Sequence, residues 1–292
     1  MRVIITADLH YDLPPSRPTV EMLAERILQT GADVLVLLGD SAGADYRAFR
    51  ECLDLFDGFA GRKLLVPGNH CLWCLPGENS LQRYEKTLPS LAAEAGFTLL
   101  DHQPVTINGC GFVGSIGWYD YSYRDEGLGI PLEFYRAKVS PGAAVRLEEF
   151  QELVERYKNR LTDRQYSIVA RWMDGLHVRL EMSDEQFLEY LLEKFSRQLE
   201  GFQSNPAVRR IVAFMHHLPF RQLLPKNRPD KFVFAFAYLG SERFGEVLLK
   251  YPKVTDVFCA HSHWYARCNI GKMRVINVGS RYMHKRFEIL EI

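Results

Sequence analysis

The sequence predicts an α/β fold with polar functional residues at the ends of parallel strands, and three observations support this prediction. Short apolar segments alternate with segments of helical periodicity. The strand–helix–strand units are roughly 30 residues long, a length that implies right-handed crossovers and a parallel sheet. Acidic, amide and histidine side chains follow several of the predicted strands directly. In such sheets, ligands bind beyond the carboxyl ends of the strands.

The first third of the chain contains three predicted strands, each followed by a predicted helix. The strands cover residues 2–7, 33–38 and 63–66, which are short and apolar. Each helix shows an apolar stripe, and each ends at a glycine, a common helix stop. The helices lie near residues 20–30, 46–57 and 80–95, with Gly31, Gly58 and Gly96 after them.

The rest of the chain alternates short strands with one distinct block. Predicted strands cover residues 97–100, 105–107, 111–115, 209–215, 254–259, 274–278 and 287–292, and Asn108-Gly109 predicts a hairpin turn. Residues 118–203 begin with an aromatic, polar loop and continue with two apolar stripes at helical spacing. This block either forms a cap or covers one face of the sheet. We treat residues 1–292 as a single domain with residues 118–203 as an inserted, mainly helical cap segment.

Composition narrows the functional classes. The chain has 292 residues and a formal net charge of zero, and it lacks a clear Lys/Arg stripe, which argues against charge-driven nucleic-acid binding. No apolar run approaches the ~18 residues that span a bilayer, and no secretory signal is visible, so we expect no membrane association. The six cysteines are irregularly spaced, which favours a reduced, cytoplasmic protein.

Five short motifs follow five different predicted strands. They are Asp8-Leu9-His10, Gly39-Asp40, Gly68-Asn69-His70, His216-His217 and His261-Ser262-His263. Each motif alone is weak, because a Gly-Asp pair usually marks a turn and a single His-x-His often has no ligand. Together they predict one shared site at the carboxyl edge of the sheet. On an extended segment, residues two apart point to the same side, so each Asp-x-His or His-x-His pair reaches one site. Carboxylate, imidazole and amide ligands suit Mn, Fe, Zn or Ni.

In this order, the motifs resemble the signature of the calcineurin-like metallophosphoesterase superfamily. That signature runs Asp-x-His, Gly-Asp, Gly-Asn-His, a single His after a strand, and Gly-His-x-His. The resemblance covers nearly the whole chain except the helical block, and Asn277-Val278-Gly279-Ser280 is also similar to the family pattern. It implies a four-layer α/β/β/α sandwich with an inserted helical cap. Two positions depart from the pattern: Ala260 replaces the usual glycine, and Cys71 replaces a residue that is often acidic.

The resemblance implies roles for individual residues. Two divalent or mixed-valence transition-metal ions are expected, and Asp40 would bridge them. The first ion would be held by Asp8, His10, Asp40 and His263, and the second by Asp40, Asn69, His216 and His261. His70 would act on the substrate phosphate beside the ions, so His70 and Asp40 are the expected catalytic residues. His217 is the less favoured histidine of its pair.

The expected activity is that of a metal-dependent phosphoric ester hydrolase, either a phosphatase or a phosphodiesterase. A hydroxide that bridges the metals would attack phosphorus in line with the leaving oxygen. The expected partner is a small phosphoester contacting Asn69, His70, Tyr119 and Tyr121. A nuclease of the same family and a non-catalytic metal-binding scaffold remain as alternatives. Substrate identity and oligomeric state do not follow from the sequence.

Overall fold

Two mixed β-sheets form the centre of the structure, and the computed structural model describes residues 1–292. The strands are β1 (Arg2–Thr6), β2 (Val34–Leu38), β3 (Arg62–Val66), β4 (Phe97–Leu99), β5 (Val105–Ile107), β6 (Cys110–Ser115), β7 (Arg210–Met215), β8 (Val254–Cys259), β9 (Ala266–Ile270), β10 (Met273–Asn277) and β11 (Phe287–Glu291). The α-helices are α1 (Arg17–Leu28), α2 (Tyr46–Asp54), α3 (Ser80–Gln82), α4 (Leu88–Glu94), α5 (Leu132–Arg136), α6 (Pro141–Ala144), α7 (Gln151–Tyr157), α8 (Asp163–Ser167), α9 (Asp174–His177), α10 (Asp184–Ser204), α11 (Asp230–Ala235) and α12 (Glu242–Leu249).

Each sheet has a parallel centre and at least one antiparallel edge. The first sheet has the order β11-β1-β2-β3-β4, and only β11 runs antiparallel to its neighbour. The second sheet has the order β5-β6-β7-β8-β10-β9, with antiparallel β5 and β9 at its two edges. The parallel strands of both sheets therefore bring the loops after β1, β2, β3, β7 and β8 to comparable positions at strand ends.

Alternating side chains on the central strands build two separate cores. On β2, Val34, Val36 and Leu38 belong to a cluster of 18 buried residues that comes from both sheets. Leu35 and Leu37 point the opposite way into a cluster of 64 buried residues, which includes the apolar faces of the helices. Helices therefore cover the outer faces of two stacked sheets. The predicted α/β/β/α layering is confirmed.

Every predicted strand is present, and the differences concern several helices, the sheets and one additional strand. Helices α11 and α12 have no sequence prediction. The helix predicted near residues 80–95 is interrupted by a π-helical turn at Arg83–Thr87. The parallel sheet implied by the strand–helix–strand units is present as the parallel centre of each of two mixed sheets, and β9 is an additional strand without a sequence prediction. Strand β9 lies at an edge with every side chain at least partly exposed, so its sequence carries no buried apolar pattern. The Asn108-Gly109 hairpin has positive φ at both residues (50° and 75°), as a type I′ turn requires.

Residues 118–203 contain short helices followed by one long helix. The first predicted apolar stripe does not form one helix: α7 covers only Gln151–Tyr157, and Leu147 and Leu161 lie outside it. The second stripe lies on α10, which begins with a Ser183/Gln186 capping box and packs against β6. This helix covers a face of the second sheet. The division of the chain into a domain and a cap segment stays a prediction. No helix combines the length and apolar composition needed to cross a membrane.

Candidate metal centre

Strained backbone marks the loops that follow the strands. Five of the nine non-glycine residues with positive φ are predicted metal ligands. They are Asp8 (52°), His10 (46°), Asp40 (51°), His261 (68°) and His263 (55°). This left-handed conformation costs roughly 1–2 kcal/mol per residue, and it persists only where the surroundings enforce it. The expectation that Asp8-x-His10 and His261-x-His263 lie on extended backbone is therefore wrong. Sharp left-handed turns, rather than strand alternation, direct these side chains.

Two glycines allow the loops to approach one another closely. A Cβ atom on Gly39 would lie 2.0 Å from Nδ1 of His216. A Cβ atom on Gly68 would lie 2.1 Å from Oδ1 and 2.5 Å from the backbone nitrogen of Asp40. Any larger residue at either position would displace a predicted ligand, which explains physically why the motifs Gly39-Asp40 and Gly68-Asn69-His70 begin with glycine.

One cluster of ligand atoms is formed by the loops after β1 and β8. One ligand atom from each of Asp8, His10 and His263 lies within 4.8 Å of the others. The Nε2 atoms of His10 and His263 are 3.3 Å apart, and their rings stack at a centroid distance of 5.0 Å. These two histidines are separated by 253 positions in the sequence, and they meet because β1 and β8 end at the same edge of the fold.

The second cluster combines the loops after β2, β3, β7 and β8. Asp40, His216 and His261 also place ligand atoms within 4.8 Å of one another. Nε2 of His216 lies 3.3 Å from Oδ2 of Asp40, 3.1 Å from Nδ1 of His261 and 3.3 Å from Oδ1 of Asn69. Oδ2 of Asp40 is also 3.8 Å from Nε2 of His10. Asp40 thus lies between the two clusters.

The surrounding backbone directs two of the histidines. Nδ1 of His216 lies 3.2 Å from the Leu38 carbonyl, and Nε2 of His261 lies 3.2 Å from the Tyr238 carbonyl. A carbonyl oxygen can only accept a hydrogen bond, so Nδ1 of His216 and Nε2 of His261 each carry a proton. The other nitrogen of each ring then presents its lone pair to the cluster, as metal-ligating histidines do.

Buried carboxylate oxygens without partners, and the protonation states of several of the predicted ligands, fit cation binding. Oδ2 of Asp8 and Oδ2 of Asp40 are buried and accept no hydrogen bond. Burial lowers the pKa of His10 well below its ordinary value and lowers the pKa of His263 to about 3. Burial alone would raise the pKa of Asp40, but His216 and His70 hold it well below its ordinary value. Two ligands have shifts of the opposite kind: burial alone would lower the pKa of His216, but Asp40 raises it to about 8, and burial raises the pKa of Asp8 to about 7. Metal ligation requires ionised carboxylates and neutral imidazoles, so cation binding would release the protons that His216 and Asp8 hold.

Asp174 is a buried residue of this site that the sequence motifs do not include. Its Oδ1 accepts hydrogen bonds from Nδ2 of Asn69 and Nε1 of Trp73, both at 2.8 Å. Its Oδ2 accepts from the Tyr119 hydroxyl at 3.0 Å and from Nε1 of Trp172 at 2.8 Å. A carboxylate cannot donate, so it fixes the Asn69 amide with its oxygen toward His216. A lone aspartate in the helical block carries no motif that would have identified it.

His70 borders the two clusters, and one of its ring nitrogens lies within 4.8 Å of ligand atoms of His10 and Asp40, which makes a third group of potential ligand atoms. Its backbone N–H donates to Oδ1 of Asp40 at 2.9 Å. Its ring stacks on Trp73 at a centroid distance of 3.7 Å and meets the His10 ring edge-on at 4.6 Å. No carboxylate hydrogen-bonds the His70 ring. Trp73, held by Asp174, therefore orients His70 in place of the acidic neighbour that Cys71 replaces.

The structure places Tyr119 and Tyr121, which are predicted to contact substrate, away from the cavity beside the clusters. Their exposed fractions are 0% and 1%, and neither borders the cavity beside the clusters. The Tyr119 hydroxyl donates to Asp174, and the Tyr121 hydroxyl donates to Asp184. Their aromatic bodies and satisfied hydroxyls make them part of the core. His217 is also buried, with Nδ1 on the Ile116 carbonyl at 2.9 Å, and it joins neither cluster.

A cavity of about 700 Å³ opens directly beside the two clusters. Its inner end is formed by five of the predicted site residues, namely Asp40, Asn69, His70, His261 and His263. The remaining wall comes from residues after β1 and β3, from residues near Asp174, from the segment between β7 and β8, and from residues after β8 and β10. Of the predicted metal ligands, Asp8, His10 and His216 lie behind this surface and are fully buried.

Similarity to known proteins identifies the family. The sequence model described as calcineurin-like phosphoesterase matches residues 1–265. The chain belongs to the calcineurin-like phosphoesterase family. As a calcineurin-like phosphoesterase, it is a metal-dependent hydrolase. No curated protein matches the chain.

Two solved structures share the fold of this calcineurin-like phosphoesterase. Phosphopantetheinyl hydrolase (PptH) from Mycobacterium tuberculosis is 19% identical with a TM-score of 0.65, and the match covers 98% of this chain and 95% of that one. TT1561 from Thermus thermophilus is 13% identical with a TM-score of 0.53, and the match covers 99% of this chain and 97% of that one. At these identities, the likeness concerns the fold.

Proposed function

We propose that this calcineurin-like phosphoesterase hydrolyses a small phosphoester with a pair of transition-metal ions. The position of Asp40 between two groups of ligand atoms is the observation that supports the pair. Asp40 would bridge the ions. The first ion would bind to Asp8, His10, Asp40 and His263, and the second to Asp40, Asn69, His216 and His261. The mixed nitrogen and oxygen donors favour Mn, Fe, Zn or Ni over Mg or Ca.

The bound cations would activate water and stabilise negative charge on the phosphoryl oxygens. During hydrolysis, a water oxygen forms a bond to phosphorus, the ester P–O bond breaks, and the leaving oxygen takes a proton. His70 borders the cavity, and no other side chain occupies its ring nitrogens, so it serves the phosphate as a hydrogen-bond donor or supplies this proton. Trp73 restricts the ring to one orientation by stacking. Asn69 is held by Asp174 and keeps its carbonyl oxygen at the site.

A small molecule fits the cavity better than a nucleic acid. The volume of about 700 Å³ lies within the range of small-molecule sites. The net charge of zero gives no general attraction to a polyanion. Arg171, Trp172, Met173 and Asp174 from residues 118–203 form part of the cavity wall, and we propose that this cap segment selects the substrate. A cytoplasmic location stays a prediction, and the six cysteines are all free thiols.

Hydrolysis of 4-nitrophenyl phosphate with added Mn²⁺, Fe²⁺, Ni²⁺ or Zn²⁺ tests the proposal. We expect turnover only with metal, and a loss of at least about 100-fold in Asp40→Asn, because one carboxylate serves both ions. Asp57→Asn removes a carboxylate whose side chain is 66% exposed and outside the site, so it is the matched control. Metal-independent turnover, or unchanged turnover in Asp40→Asn, would refute the proposal.

His70→Ala separates the substrate role of His70 from a ligand role. We expect kcat to fall by about 10²–10⁴-fold, the range typical of a lost proton donor, while the bound metal content stays at the wild-type value. Metal content is measured by mass spectrometry on the same preparation. If the variant instead loses bound metal, and the molecules that keep two ions turn over at nearly the wild-type rate, His70 is a metal ligand.

A further inference from the structure

The cavity beside the metal clusters has two chemically different parts. Its inner end carries the site residues, and Asp40 and Asn69 are each only 1% exposed there. Its side wall is apolar, built by Trp172, Met173, Phe232, Phe236 and Leu239. Trp172 is rigid, because its N–H is held by Asp174 and its ring stacks on Tyr238 at 5.0 Å with an interplanar angle of 8°. The wall therefore suits an apolar group attached to the scissile phosphate.

Two arginines lie at the outer part of the same cavity. Arg228 stacks on Trp264, with its Cζ 3.7 Å from the ring centroid, and Cζ of Arg281 lies 4.8 Å from the same centroid. Trp264 is 37% exposed, which places this group at the opening. The arginines come from different segments, one between β7 and β8 and one after β10, so the fold brings them together.

Neither guanidinium group has an anionic partner within the protein. No carboxylate oxygen lies within 4.0 Å of Arg228 or Arg281, and neither side chain donates a hydrogen bond to another protein group. By contrast, the third arginine of the cavity, Arg171, is paired with Glu149 at 3.0 Å. Stacking on an indole uses the face of a guanidinium and leaves its N–H edge available to an anion. Two cations on one aromatic platform thus present donors toward the cavity.

We propose that Arg228 and Arg281 bind a second anionic group of the substrate, remote from the phosphate that is hydrolysed. The substrate class is then a phosphoester with an apolar body and a further phosphate or carboxylate at its other end. The apolar wall would hold the body of such a substrate, and the accessible guanidinium groups at the opening would hold its second anion. This inference rests on the proposed function, because the hydrolysed phosphate must occupy the inner end of the cavity.

Alkanediol phosphates provide a direct test. The probes are the α,ω-bisphosphates of linear diols with four to ten carbons, each compared with the monophosphate of the same diol. Both members of a pair carry the same scissile ester, and only one carries a second anion. We expect the wild type to prefer the bisphosphate of one chain length by at least about tenfold in kcat/KM. Each single replacement, Arg228→Gln or Arg281→Gln, should reduce that ratio, and the double variant should bring it to about one.

Binding without turnover gives an independent measure. Titration calorimetry with the α,ω-alkanebisphosphonate and alkylphosphonate of the preferred length should show the same ratio in Kd. The preference should also shrink as ionic strength rises, because the arginine group is partly exposed. Arg267→Gln is the control: it removes an exposed arginine from β9 outside the cavity and should leave both ratios at the wild-type value.

The outcomes distinguish the inference from the proposed function. If no alkyl phosphate is hydrolysed and no phosphonate binds with metal present, the proposed function fails. If monophosphates and bisphosphates are hydrolysed and bound equally well, only the second-anion site is refuted. A bisphosphate preference that survives in the double variant Arg228→Gln/Arg281→Gln also refutes it, because the second anion then binds elsewhere.

Discussion

Replacing Asp174 with asparagine should weaken metal binding through Asn69, which Asp174 orients. The change keeps the size of the side chain, removes its charge and turns one acceptor oxygen into a donor. Four donors meet at this carboxylate: Asn69, Trp73, Tyr119 and Trp172. The new side-chain NH₂ must point to one of two pairs of donors, either Asn69 and Trp73 or Tyr119 and Trp172. Facing Tyr119 and Trp172, it leaves the indole N–H without an acceptor, because only the hydroxyl can reverse its role.

The other orientation acts on the metal site directly. Facing Asn69 and Trp73, the new amide leaves the Trp73 N–H unpaired and favours a flip of the Asn69 amide, which would turn its NH₂ toward His216. Each orientation leaves one buried indole N–H unsatisfied, a cost of about 1–3 kcal/mol in the free energy of unfolding. Loss of a partner that orients a metal ligand typically lowers metal affinity by about 10–100-fold. Asp174→Asn should therefore show both effects.

Two measurements on the same preparations separate these effects. Urea unfolding of the metal-free protein reports stability, and calorimetric titration with Mn²⁺ reports affinity at each site. Tyr119→Phe is the matched control, because it removes one hydrogen bond to Asp174 and leaves the Asn69 contact in place. It should lose about 1 kcal/mol of stability with unchanged Mn²⁺ affinity. If Asp174→Asn loses stability but binds both Mn²⁺ ions with wild-type affinity, Asp174 does not orient a ligand and the reasoning is refuted.

Two further predictions concern the close approach of the loops and the pH dependence of stability. Gly39→Ala should abolish binding of one metal ion, since the new Cβ would lie 2.0 Å from Nδ1 of His216; a wild-type metal content by mass spectrometry would contradict this. Burial raises the pKa of Asp101 to about 6, so the folded state holds a proton that the unfolded state loses near pH 4. This group therefore lowers stability as the pH rises from about 4 to about 6, by about 3 kcal/mol at most. In Asp101→Asn this component is absent, so urea unfolding should show the variant gaining stability relative to the wild type across that window; a constant difference would contradict the assignment.

The strands and the motif residues were predictable because their signals are local. An apolar run such as residues 34–38 is buried on both faces, so its composition alone indicates a central strand. Gly39-Asp40 and Gly68-Asn69-His70 follow such strands within two to four residues, and the topology of parallel strands then brings them together. The position of each motif directly after a strand, together with the rule that parallel strands end at the same edge of a sheet, accounts for the clusters.

The number of sheets followed from the family resemblance and not from the strand patterns themselves. A strand buried on both faces has the same sequence pattern in one large sheet as in two stacked sheets. Only the pairing partners decide, and those partners lie far away in the chain: β1 pairs with β11 at the other end. The left-handed backbone at Asp8 and His261 was equally hidden, since aspartate and histidine adopt positive φ at only a small fraction of positions and their identity alone does not indicate it.

Residues outside the motifs were missed or misassigned for a related reason. Asn69 and Asp174 are 105 residues apart, and no spacing rule connects them. Tyr119 and Tyr121 belong to an aromatic, polar stretch that is as typical of a ligand pocket as of a core, and the buried carboxylates of Asp174 and Asp184 decide between the two. The contact of Arg228 with Trp264 likewise depends on tertiary packing.

Metal stoichiometry tests the central claim most directly. Purified protein is stripped with a chelator, dialysed against Mn²⁺, and analysed by mass spectrometry for bound manganese per chain. The account predicts two ions per chain in the wild type and fewer than one in Asp40→Asn, because both clusters share that carboxylate. One ion or none in the wild type, or two in Asp40→Asn, would contradict it.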